Sequence, residues 1–332
     1  MSFIEKEFKR SVSQKMAGER LDRYLISSGI GLSRSMTSRL IKDGKIKVNG
    51  KEAKPSQKLA EGDEVYALLE LPDRDESLKP QDIGLDVVYE DDHVILINKP
   101  SGMVVHPARG HTSGTLINAL LAHCGDLPRG EKGEVRPGVI HRLDKDTTGL
   151  ILFAKTYDAL VELTRQTEAR TMLKEYSALA WGRFELSEGE IAAPIGRSTL
   201  DRRRMSVTPI ESREAATRFK LERVYAGCVS SLRLWLVTGR THQIRVHLVH
   251  YGHPVIGDAE YRGREEIMPG TQTEADVLKG CLERISRQAL HARVLGFRHP
   301  ATGSQMTFDS ELPRDMKNVV DFLEEYEGSH NR

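Results

Sequence analysis

The stretch GVIHRLDKDTTGLILFAKT, residues 138–156, decides how the rest of the chain is read. Two runs with the composition of buried strands, 138–140 and 150–154, flank HRLDKDTTG, which is crowded with groups that gain nothing from burial. A segment that only reversed the chain could be shorter and less charged. The pattern predicts a loop between two core strands, with Asp144 at a sheet edge on a rigid support, where a charged side chain can serve binding or catalysis. Taken alone, an Arg-Leu-Asp tripeptide has a plainer use: Asp144 can pair with Arg142 or Lys145 to hold the turn. Other segments have to choose between the two.

From about residue 83 onward, strand-like runs dominate: DVVYEDDHVILINKP, LILFAKT, EYSALAW and SLRLWLVT. Helical stretches fall between them, around 116–123, 159–170 and 242–251. The order is mixed rather than regularly alternating, which predicts an α+β fold with a largely antiparallel sheet rather than a doubly wound one. Residues 262–285 break the strand pattern and read as an inserted loop and helix, with no chemical role that the sequence defines.

The N-terminal part is organised differently. In residues 18–65, Leu21, Tyr24 and Leu25, then Met36, Leu40 and Ile41, recur at helical spacing. Ser33 or Ser35 is placed to cap the second helix and Gly44 to end it. The period then becomes alternating through Ile46 and Val48 and meets Asn49-Gly50, a strong hairpin signal. Residues 1–58 carry 14 Lys and Arg against 6 Asp and Glu, whereas residues 59–80 carry 2 against 7, so the basic charge is concentrated in one place. Arg34, Arg39 and Lys42 lie off the helical apolar stripe, and Lys45 and Lys47 lie opposite Ile46 and Val48. Together they form one basic surface of the kind that binds phosphates, although a charge run can also be simply solvated. ELPDRDESLKPQD carries two prolines and no periodicity, as a linker does. The expected division is therefore 16–70, a linker at 71–82, and 83–328.

Several classes are excluded. No apolar run approaches the roughly 18 residues that cross a bilayer, and the N-terminus is too charged for a secretory signal, so a cytoplasmic protein with no membrane partner is expected. Cys124, Cys228 and Cys281 are far apart and form no CxxC pair, which predicts buried reduced thiols rather than disulfides. His242, His247, His250 and His253 crowd into twelve residues, but their spacing matches no familiar ligand set and no acidic residue lies among them. No metal is expected there; capping, packing and contact with a phosphate-bearing partner are the uses foreseen.

The segment containing RLDRYL, SRS, KDGKIKVNG and LAEGDEV resembles the small RNA-binding domain shared by a small-subunit ribosomal protein, tyrosyl-tRNA synthetases and several RNA-modifying enzymes. HRLDKDTTGLILFAKT in turn resembles the central motif of the pseudouridine synthases that modify large-subunit ribosomal RNA. NKPSGMVVHP (98–107), KEYSALAWG (174–182) and TGRTHQIRVHLVHYGHPVIGD (238–258) follow the same family in order. HRLDKDTTG and TGRTHQIRVHL look closest to the branch acting on a stem-loop at the subunit interface.

The resemblance implies the pseudouridine synthase fold and a cofactor-free isomerase working as a monomer on ribosomal RNA or a pre-ribosomal particle. It also implies Asp144 as catalytic residue, Tyr176 stacked on the base, Arg245 paired with Asp144, and Arg142 filling the gap left by a flipped base. The alternatives are a transfer-RNA-directed synthase of the same fold and a non-catalytic RNA-binding or ribosome-assembly factor.

Overall fold

The computed structural model describes residues 3–28, 34–72, 78–107, 111, 113–129, 136–264 and 270–330. The N-terminal unit consists of β1 (Phe3–Ser11), α1 (Leu21–Ser27), α2 (Arg34–Lys42), β2 (Ile46–Val48), β3 (Lys51–Glu52) and β4 (Glu64–Pro72). Its sheet has the order β1-β4-β2-β3. Leu21, Tyr24 and Leu25 are buried on one face of α1 and meet Ile41, Ile46 and Val48, residues that the two periodicities select, together with Val65. Gly44 and the pair Asn49-Gly50 have positive φ, as a helix C-terminus and a tight hairpin require. Ser35 lies inside the first turn of α2 rather than capping it. Ser33 and the side chains of Arg34 and Met36 lie outside the described residues.

One element of this unit departs from the sequence pattern. The strand β1 pairs with β4 over its whole length, so the sheet begins well before residue 16. FIEKEFKRS carries too many charges for an alternating apolar pattern, and of its described side chains only Phe8 is buried.

The remaining chain builds a larger sheet. Its elements are β5 (Val87–Glu90), β6 (Val94–Lys99), α3 (Leu116–Cys124), β7 (Thr148–Ala154), α4 (Tyr157–Glu168), β8 (Leu173–Trp181), β9 (Glu188–Ala192), β10 (Ile195–Arg197), β11 (Met205–Val207), β12 (Ala216–Tyr225), β13 (Val229–Leu236), α5 (Gln243–His250), α6 (Gln272–Arg284), β14 (Leu290–Arg298), β15 (Gln305–Asp309) and α7 (Arg314–His330). The main sheet runs β5-β6-β7-β14-β8-β13-β12-β9, with β15 on β14 and β10-β11 as a separate hairpin. Only the β7–β14 pair among the described strands is parallel, so the mixed and largely antiparallel α+β architecture is the one observed. Alternate residues of β7 feed two cores: Ile151 and Phe153 face one, and Leu150, Leu152 and Ala154 face the other beneath α4.

The run 138–140 is corrected. It does not form a strand and makes a single bridge, Val139 to Phe153. Its apolar residues are too few to extend a ladder, and Gly138 adopts a positive φ. At residues 262–285 the helix is α6, which buries Val277, Gly280 and Cys281, while 265–269 lie outside the described residues. The cysteines are free, with Cys281 buried and Cys124 and Cys228 only half-buried.

Candidate active site

The loop of residues 141–147 hangs from the start of β7 at several points. Leu143 is buried in the core, and the amide of Thr147 donates to the carbonyl of Asp144 at 3.1 Å, closing a turn. The Lys99 ammonium, 1% exposed, donates to the carbonyls of Pro100 (2.8 Å), Met103 (2.9 Å) and Lys145 (2.9 Å). Arg287 donates to the carbonyl of Asp146 at 3.1 Å while its other nitrogens grip Asp315. The second residue of β7 must be small: a Cβ on Gly149 would lie 2.2 Å from the carbonyl oxygen of Ala292, where the parallel strands meet. That register sets Gly149 against Ala292 and Ala292 against Tyr176, which brings the loop and Tyr176 to one end of the sheet.

Lys99 carries a stability prediction. Burial pushes its ammonium down to about 7, against the opposing charges of Asp146 and Asp144. Lys99→Met leaves three inward carbonyls without their donor and should cost about 3 kcal/mol or more in urea unfolding at neutral pH. The unfolded lysine holds its proton up to about pH 10, so above about 7 the unfolded chain binds more protons than the folded one. Parent stability should therefore rise with pH in that window relative to the variant. A loss below about 1 kcal/mol would show that the loop is held without Lys99.

Asp144 and Arg245 meet at the floor of the site. Nη1 of Arg245 donates to Asp144 Oδ2 at 3.2 Å, with the two side chains 16% and 6% exposed, respectively, for the acid and the base. The same guanidinium grips Asp258 through Nε to Oδ2 at 2.6 Å and Nη2 to Oδ1 at 2.8 Å, and Nη2 also donates to Glu260 Oε2 at 3.0 Å. Asp258 is wholly buried, and its Oδ1 accepts the amides of Glu260 (2.9 Å) and Tyr261 (3.0 Å). The bidentate bond to Asp258 locks the guanidinium plane and leaves Nη1 aimed at Asp144. Burial works against the charge on Arg245, but the hydrogen bonds and charge of Asp258, then the charges of Asp144 and Glu260, overcome it and hold the proton more tightly than usual. A histidine also stands nearby: His242, in a left-handed conformation before α5, places Nε2 3.8 Å from Asp144 Oδ1, with Nδ1 bonded to Tyr261 Oη at 2.8 Å, and burial lowers its pKa despite the charge of Asp144.

Tyr176 is buried on β8. Burial and the charge of Asp144 push its phenol above the ordinary range, so it stays neutral. Asp144, Tyr176 and the exposed Arg142 line one cleft of about 710 Å³ together with His141, Lys174 and Arg240. Arg39, Lys42 and Lys47 are exposed and Lys45 is half-buried, all in the N-terminal unit, and none lines this cleft. Of the clustered histidines, His247 is buried between Thr217 and the carbonyl of Ala193, His253 faces the carbonyl of Trp181, and His250 is exposed. His247 and His253 thus serve packing and turn closure.

The sequence gives no role to Asp258 or Glu260, and marks His242 only as one of a histidine cluster within the 238–258 motif. The one signal for Asp258 is its place after PVIG, where Gly257 has a positive φ and a Cβ would lie 2.2 Å from the carbonyl of Arg287. Nothing local to residue 258 points to a guanidinium thirteen positions earlier.

A cleft lined by a carboxylate held on an arginine, a neutral tyrosine and several further arginines, on a mixed sheet that follows a basic N-terminal unit in the chain, fits an enzyme that acts on RNA. Residues 93–250 match the family described as RNA pseudouridylate synthase, and residues 19–65 match the S4 domain. The chain is 42% identical to the ribosomal large subunit pseudouridine synthase D of Vibrio parahaemolyticus, over 94% of this chain and 93% of that one. It is 38% identical to the protein of the same name from Escherichia coli (94% and 93%), and 41% identical to an uncharacterized RNA pseudouridine synthase of Bacillus subtilis (94% and 97%). It belongs to the RNA pseudouridine synthases, and is therefore an isomerase. The fold is shared with human RNA pseudouridylate synthase domain containing 4, with a TM-score of 0.54 at 24% identity, over 72% of this chain and 92% of that one. Among the described residues no helix is long and apolar enough to cross a membrane.

Proposed function

We propose that this enzyme isomerises uridines in large-subunit ribosomal RNA, acting as a monomer on the RNA or on a pre-ribosomal particle, with Asp144 as the catalytic residue. The observation that carries the reading is the Asp144 carboxylate held on Arg245 at the bottom of a cleft walled by Tyr176. The reaction breaks the C1′–N1 bond and joins C1′ to C5; C5 loses a proton and N1 gains one. A carboxylate serves each route to that exchange, by adding to the base, attacking C1′ or removing a proton from C2′, and each needs the anion. Arg245 holds the carboxylate in position through its Nη1 hydrogen bond. Tyr176 offers its ring to the base. The base must first leave its stack, and Arg142, exposed two residues before Asp144, is placed to fill the gap. The ribosomal target is supported by the names of the relatives from Vibrio and Escherichia coli, which cover nearly the whole chain. Mapping pseudouridine in ribosomal RNA from cells lacking this protein tests it: a uridine that stays unmodified is expected, and an unchanged ribosomal map with altered transfer RNA would overturn it.

The N-terminal unit, taken as a separate RNA-binding domain joined by a linker, supplies cations for the RNA backbone. Its core, from Phe8 to Ala67, shares no member with the cores of the larger sheet. Removing residues 1–75 should leave a folded synthase domain that binds more weakly, with the log–log salt slope lowered by roughly 0.7 to 0.9 for each phosphate that is no longer neutralised. An unchanged slope would mean that Arg39, Lys42 and Lys47 are only solvated.

A further inference from the structure

Lys174 stands on β8 two residues before Tyr176, so both side chains project from the same face of the strand. It lines the cleft that holds Asp144, and it also lines an adjoining crevice of about 260 Å³ whose walls carry Arg170 and Arg240 with Glu168. Asp144 and Tyr176 take no part in that second crevice. Among the described residues the Lys174 ammonium makes no hydrogen bond or ion pair. The buried cations differ from this half-buried one: Lys99 satisfies three carbonyls, Arg245 three carboxylates, and Arg287 an aspartate and three carbonyls.

The neighbouring His141 supplies no counter-charge. Its Nε2 accepts the amide of Leu152 at 3.1 Å, and burial, then the charge of Lys174, push it well below the ordinary range, so it is neutral. Desolvation brings the Lys174 ammonium down to about 8, which leaves it charged at neutral pH. Lys174 is half-buried, so its unpaired charge is only partly solvated, and an arriving anion offsets what it has lost.

We propose that Lys174, at the junction of the two cavities and beside Arg170 and Arg240, binds a backbone phosphodiester next to the target uridine while the base occupies the Tyr176 cleft. A base held on Tyr176 must carry its ribose and phosphate out of the cleft, and the adjoining crevice is basic where a nucleobase pocket has no need to be. This assignment rests on the reading of the Asp144 cleft as the uridine site.

The test uses Lys174→Met and Lys174→Arg in the full chain, with an unmodified transcript of large-subunit ribosomal RNA as probe. Because the methionine removes an unpaired, half-buried charge, its melting temperature should equal or exceed the parent's. Affinity should fall on the order of tenfold, and the log–log salt slope should drop by about 0.7 to 0.9, with arginine restoring most of both. The kinetic loss should fall on the RNA concentration needed for half-saturation rather than on the rate at saturating RNA. A normal affinity and slope with a lower rate at saturation would place the ammonium on the uracil and overturn the proposal. A lowered melting temperature with an unchanged slope would make it structural and also overturn it. Binding measured in an Asp144→Asn background separates the two readings, since continued turnover there refutes the cleft assignment whatever the slope shows.

Discussion

Asp144→Asn should abolish turnover, by at least about a thousandfold or ~4 kcal/mol of barrier, while leaving the fold and the RNA affinity in place. Asparagine keeps the volume and an oxygen that can accept from Arg245 Nη1, but lacks the anion that every route across the C1′–N1 bond requires. The guanidinium does not collapse toward the gap, because Asp258 and Glu260 still hold its other nitrogens. RNA binding should stay equal or tighten, since a carboxylate facing phosphates is removed. Pseudouridine formation by the purified variant at a rate within about tenfold of the parent, a loss of less than ~1.4 kcal/mol, would remove Asp144 from the chemistry.

Arg245→Leu should harm both stability and activity, for separable reasons. It strands Asp258, which is wholly buried, beside Asp144 and Glu260 with no guanidinium among the three. Breaking a buried pair from one side costs about 3 to 5 kcal/mol, and that loss is expected in denaturant unfolding at neutral pH. Adding Asp258→Asn to Arg245→Leu removes the stranded charge while keeping an oxygen for the amides of Glu260 and Tyr261. Stability should then recover in part, so that the two changes cost clearly less than their sum. Activity should not recover, because Asp144 still lacks the hydrogen-bond donor that aims it. A double variant that regained turnover would show that Arg245 serves only Asp258. A single variant that unfolded within about 1 kcal/mol of the parent would show that the three acids are compensated by other groups.

The helical spacing of Leu21, Tyr24 and Leu25, the Asn49-Gly50 turn and the apolar runs at 94–99 and 150–154 were legible because a repeat along the chain states which face meets a core. The strand β1 was not legible, since its pairing with β4 rests on backbone hydrogen bonds and little apolar surface. The same holds in reverse for residues 138–140, which have a strand's composition but only one bridge.

The site divides along the same line. HRLDKDTTG marks itself, because so many charged groups between buried residues need a reason, and the family motifs extend that reason to Tyr176 and Arg245. The sequence by itself thus determined the mixed α+β class, the basic N-terminal unit and the candidate carboxylate. Only the tertiary structure decided that Lys99 holds the loop from 46 residues away, that Arg245 is shared among three carboxylates, and that Lys174 is left without one. Periodicity is a property of neighbouring residues, whereas a side chain's partners depend on the register between strands far apart in sequence and on how much water their meeting expels. Those distances and that desolvation set the charge state of each group, and they exist only once the sheet has closed around it.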